Sequence, residues 1–91
     1  MYKINVGVSV GKRVTFVPPS VSITFVEVNG ERVVDGDGRE REIVIHPGVG
    51  YVIRIGFVGE SKKREMKEMN AFTRYVEEKM KGREMGRECE W

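Results

Sequence analysis

Ninety-one residues are expected to form one domain, with a core large enough to fold without disulfide staples and too small to divide. Sixteen basic against 14 acidic residues leave a net charge of only +2. Dividing the chain at Gly59 puts +1 on each side, so the regional basic excess of a protein that works by neutralising phosphates is absent. No apolar run approaches the roughly 18 residues of a membrane-spanning helix, and the N-terminus lacks a charged start followed by an apolar stretch, so the expected location is the cytoplasm.

The chain has no Gln, few Asn, a single Cys and a single His beside abundant Glu, Lys and Arg, a composition that points to a thermophilic, archaeal-like source. Tyr2, Ile4, Val6, Val8 and Val10 then alternate with polar or small residues, which predicts a half-buried opening strand. A turn near Gly11-Lys12 or Lys12-Arg13 leads to a short strand over 14–17, which Pro18-Pro19 ends. Residues 21–28 resume as a strand, and Asn29-Gly30 supplies the two positive-φ positions of a type I′ turn before 31–34 returns. A two-residue loop sets the expected pairs: Val28 with Glu31, Glu27 with Arg32, Val26 with Val33 and Phe25 with Val34. Glu27 and Arg32 should form an ion pair.

After the polar run Asp35-Gly36-Asp37-Gly38, a strand over 39–46 leads through Pro47-Gly48-Val49-Gly50 into YVIRIGFV, residues 51–58. This is the expected central strand, because Tyr51, Ile53, Ile55 and Phe57 fill one face while Val52 and Val58 extend apolar character to the other. Pairing Ile45 with Tyr51 would also bring Ile43 to Ile53 and Glu42 to Arg54. Both faces of that strand ask for cover.

A helix over 61–81 should cover one of them, with Ser61 as N-cap and Gly82 as stop. At 100° per residue Met66, Met69, Phe72, Thr73, Val76 and Met80 share an arc of about 120°, and Tyr75 lies outside it. The domain is expected to occupy 1–82, with 83–91, including Cys89 and Trp91, a charged tail that frays.

Chemistry is sparse. His46 has no second His or Cys nearby to build a metal site, and no nucleophile motif frames Ser9, Ser20, Ser22 or Ser61 toward Asp35 or Asp37. The Asp35–Gly38 run starts like a calcium loop but carries His46 where a bidentate Glu belongs, and Gly48-Val49-Gly50 joins two strands rather than opening a helix. Arg54 to Val58 matches poorly the aromatic-bearing strand of an RNA-recognition sheet. No cofactor and no metal is expected.

The reading that follows is an α+β fold, an antiparallel sheet or small sandwich or barrel of five to six strands followed by one C-terminal amphipathic helix. The expected role is a non-enzymatic protein-interaction module, a homodimer or the subunit of a larger assembly, with Met66, Met69, Phe72, Tyr75 and Val76 as the candidate interface. The competing expectation is a small nucleic-acid-binding protein that uses Lys12, Arg13, Arg54, Lys62, Lys63 and Arg64. Interspersed Glu27, Glu31, Glu40 and Glu42 weaken that surface.

Overall fold

A computed structural model of the chain describes residues 2–17, 23–34, 41–58 and 62–89, with backbone only for Lys62 and Cys89. In order these form β1 (Tyr2–Val8), β2 (Lys12–Thr15), β3 (Ile23–Val28), β4 (Glu31–Val34), β5 (Glu42–Ile45), β6 (Gly50–Phe57), α1 (Lys62–Met80) and β7 (Gly82–Cys89). The fold is α+β. Five strands make one antiparallel sheet in the order β4-β3-β6-β1-β7, and β2 pairs with β5 in a separate two-stranded ribbon. Pro18-Pro19, the 35–38 run and the Ser61 cap lie outside the described residues.

The YVIRIGFV run sits at the centre of the sheet, as its two-sided apolar character predicts. Its pairing with β1 sets Tyr2 opposite Ile55, Ile4 opposite Ile53 and Val6 opposite Tyr51, so the apolar residues of both strands share one face. Val26 and Val28 of β3 continue that face beside Ile55 and Ile53. In the β3–β4 hairpin Asn29 and Gly30 take φ of 49° and 84°, and the two pairs nearest the turn are those the sequence predicts. Beyond them the register differs. Val26 faces Val34 instead of Val33, which becomes the extra residue of a bulge. Strict alternation would send one of these adjacent valines to the solvated face, whereas here both Val33 and Val34 are buried.

One expected strand pairing is corrected. The β5 strand does not lie beside β6, since β1 and β3 already occupy both of its edges. It pairs instead with β2, setting Lys12 opposite Ile45 and Val14 opposite Ile43. Gly48, at a φ of 79°, turns the chain between β5 and β6. The end of β5 still meets β6 through a side chain, because the His46 N–H donates to the Tyr51 hydroxyl at 2.7 Å. A two-stranded ribbon is marginal alone, and this one is held by burying Val14, Phe16 and Ile45 in the common core.

The helix stripe packs on the same sheet face, with Met69, Phe72, Thr73, Val76 and Met80 all buried. Met66, expected in the stripe, is 44% exposed, and Glu65 is buried in its stead, accepting a hydrogen bond from the Tyr2 hydroxyl at 3.3 Å. Lys81 ends the helix with a φ of 54°, and its N–H donates to the Glu78 carbonyl.

The expectation of a fraying tail is also corrected as far as residue 89, while Trp91 lies outside the described residues. Residues 82–89 form β7, an edge strand antiparallel to β1, so the helix is followed by a seventh strand. Gly82 is required there for close approach. A Cβ on it would lie 2.7 Å from the Gly7 carbonyl oxygen and 2.8 Å from methyls of Val6 and Val8.

Candidate interaction surfaces

The helix and the ribbon both cover one face of the sheet, which leaves the other face open. Its residues explain why it needs no cover. Arg32 pairs with Glu27, Glu27 with Arg54, Arg54 with Lys3 and Lys3 with Glu88, so one row of charged side chains crosses all five strands. Glu27 and Arg32 meet at 2.9 Å, as the hairpin register predicts, and Lys3 meets Glu88 at 3.5 Å. The next row holds Phe25, whose ring lies across Gly56 and carries the Arg32 guanidinium 4.3 Å from its centroid. Gly56 leaves the space the ring fills. The expected need for cover on both faces of β6 is therefore met by a solvated charge ladder and one aromatic lid.

The β7 edge is tied to the helix by polar contacts. Arg87 donates from Nε to Glu84 at 2.6 Å and from Nη1 to Asn70 on α1 at 2.6 Å, while the Glu84 N–H donates to the Glu77 carboxylate at 2.9 Å. The hydrogen bond to Glu84 raises the Arg87 guanidinium above its ordinary pKa, partial burial opposes that shift, and the charges of Glu84 and Glu77 add to it. A bulge at Met85, alternating charges and the Glu77 cap make this a poor edge for another strand to join.

The residues named as a candidate interface lie largely inside this chain's own core. Met69, Phe72 and Val76 are fully buried and cannot meet a partner. Tyr75 is half-buried against Phe16 and Phe72, and its hydroxyl accepts the Val17 N–H at 2.8 Å, so β2 and the residues after it wrap the flank of the helix. Only Met66 of the five is exposed.

The cations of the nucleic-acid expectation do not share a surface. Lys12 and Arg13 are on the ribbon, where Arg13 lies 3.7 Å from Glu42, and Arg54 is in the charge ladder on the open sheet face. Lys63 and Arg64 are at the start of α1, with Arg64 3.9 Å from Glu68. A 19-residue helix spans roughly 28 Å, and Lys12 lies at its far end, beside Lys79 and Lys81. The Lys62 side chain lies outside the described residues.

Sequence reasoning did not mark the surface at one end of the sheet. Two depressions flank the 47–50 turn and share Val49. One, of about 510 Å³, is lined by Glu31, Glu42, Ile43, Val44 and His46 among others, and the second, of about 620 Å³, by Val8, Ser9, Arg83 and Met85. Val44, Val49 and Met85 are large apolar side chains open to solvent, and Met85 is 73% exposed. Glu31 belongs to one edge strand and Arg83 to the other, four strand spacings across the sheet. The apolar signal was present in Val44, Val49 and Met85, but they belong to a strand, a turn and an edge strand and only the topology gathers them.

His46 and Ser9 fall in different depressions, and no group of three or more His, Cys, Asp or Glu residues suited to a metal occurs among the described residues. No described helix is long and apolar enough to cross a membrane. No protein-family model, no curated protein and no solved structure matches the chain.

Proposed function

We propose that the protein is a non-enzymatic interaction module that pairs with a second copy of itself through the Val49 end of the sheet. One observation carries this reading. The end of the sheet exposes Val49 between its two depressions, with Val44 of the ribbon on one side and Met85 of β7 on the other, and is acidic at one edge strand, at Glu31, and basic at the other, at Arg83. Neither Glu31 nor Arg83 has an ion-pair partner among the described residues. A two-fold axis near Val49 lays the acidic margin of each copy over the basic margin of the other, and an isologous interface requires that self-complementarity. Exposed apolar side chains between complementary charges also leave the free surface with something to gain on association.

The nucleic-acid reading has less support, because the row on the open sheet face mixes both signs and each of its cations lies beside Glu27 or Glu88. Light scattering on a sizing column, at low and moderate salt, tests the proposal. The chain should elute as a dimer. Glu31→Arg and Arg83→Glu should each weaken self-association roughly three- to tenfold, and the double variant should recover it, since each reversed charge then faces its reversed counterpart on the other copy. A monomer at all concentrations, or a double variant no better than either single one, overturns the reading.

A further inference from the structure

We propose that the pocket between β2 and the C-terminal half of α1 is a binding site for a phosphate group, carried either by a free phosphate ester or by a nucleic-acid backbone. The pocket, about 340 Å³, is lined by Lys12, Tyr75, Glu78, Lys79 and Lys81 and shares no lining residue with the Val49 end of the sheet. It does not depend on self-association.

Three features point to an anion. First, Lys12, Lys79 and Lys81 come from two elements to one pocket, and none has a carboxylate within ion-pair distance among the described residues. Lys79 and Lys81 alone would be unremarked, since cations suit the last turn of a helix. Lys12 has no such reason to be there. It stands on the ribbon directly opposite the buried Ile45, and its side chain reaches the helix end instead of a partner on the ribbon. Second, the charge balance is positive. Three ammonium groups, less the Glu78 carboxylate and about half a unit for the helix C-terminus, leave about +1.5. Third, a directional donor is in place. The Tyr75 hydroxyl accepts the Val17 N–H, which fixes its oxygen, and no acceptor among the described residues takes its own O–H. A phosphate oxygen can accept that hydrogen while the ammonium groups offset its charge, with Lys79 already held 5.9 Å from the Tyr75 ring centroid. The pocket is of a size that admits a phosphate ester.

The test uses the whole chain and follows the Tyr75 ring and lysine Nζ signals by NMR at constant ionic strength. Inorganic phosphate, tripolyphosphate and a short DNA duplex are titrated separately. Saturable shifts at Tyr75, Lys12 and Lys79 with phosphate and tripolyphosphate are expected. Lys12→Gln and Lys79→Gln should each weaken binding about five- to tenfold while leaving the melting temperature at the wild-type value, because both side chains are exposed. If the duplex moves the same signals and the same variants weaken it, the phosphate belongs to a nucleic acid. If only phosphate and tripolyphosphate do so, it belongs to a free ester. The proposal is overturned if no saturable shift appears, or if the shifts persist unchanged in both variants.

Discussion

Two glycines separate close packing from backbone freedom. Gly82 has an ordinary backbone but no room, since a methyl there meets the Gly7 carbonyl oxygen and two valine methyls from β1. Gly48 has room on every side but a φ of 79°. Gly82→Ala should therefore push β7 off β1 and cost about 1–3 kcal/mol, while Gly48→Ala should cost about 1 kcal/mol through the left-handed backbone alone. Denaturant unfolding reads both, and equal losses would mean that the close approach at Gly82 relaxes without cost. Glu65 shows how far single residues were legible. Its position falls within the same helical arc as Phe72 and Val76, yet its carboxylate led the apolar pattern to pass over it. Its burial beneath Tyr2 explains why Met66, at the margin of that arc, is left to solvent. Tyr2→Phe removes the donor from a buried carboxylate and should destabilise the protein by about 1–3 kcal/mol, measurable in the same unfolding experiment.

Elements were legible where an apolar period or a turn chemistry marked them. Alternation announced β1 and β6, Asn29-Gly30 announced the hairpin, and the methionine-bearing arc announced α1. Partner choice was not legible, because Ile43 and Ile45 match Ile53 and Tyr51 as well as they match Val14 and Lys12, and only the occupied edges of β6 decide between them. The β7 strand, GREMGREC, was invisible for a different reason. It has no apolar face, and what holds it is backbone pairing to β1 together with polar ties from Arg87 and Glu77. Arg87→Ala should thus cost about 1–2 kcal/mol despite touching no core residue. That contribution should not vary with pH in the usual range. The raised guanidinium pKa means the stabilisation is complete below the unfolded-state value and is lost only as pH rises through the still higher folded-state value. Unfolding curves at pH 5 and pH 8 should show the same loss on substitution, and a loss that disappeared at either pH would assign the work to some other group.

At the scale of the whole molecule, one sheet face is buried under a helix and a ribbon, the other is solvated by a row of charges, and both edges are short or protected. The surface proposed for a second copy is the end of the sheet. If a second copy binds there, folding and association are linked, and stability rises with protein concentration by mass action. A concentration a hundredfold above the dissociation constant contributes about 2.7 kcal/mol, and in a domain of this size each kcal/mol moves Tm by several degrees. Melting curves over a hundredfold concentration range should therefore separate by several degrees. Val49→Asp places a carboxylate at the centre of the apolar patch, on a residue already exposed and without a role in the core. The variant should melt at one temperature at every concentration, close to the wild-type value at high dilution, because only the association is removed. A wild-type Tm that ignores concentration, or a Val49→Asp variant that keeps the full concentration dependence, would mean that this end of the sheet is not where the chain meets itself.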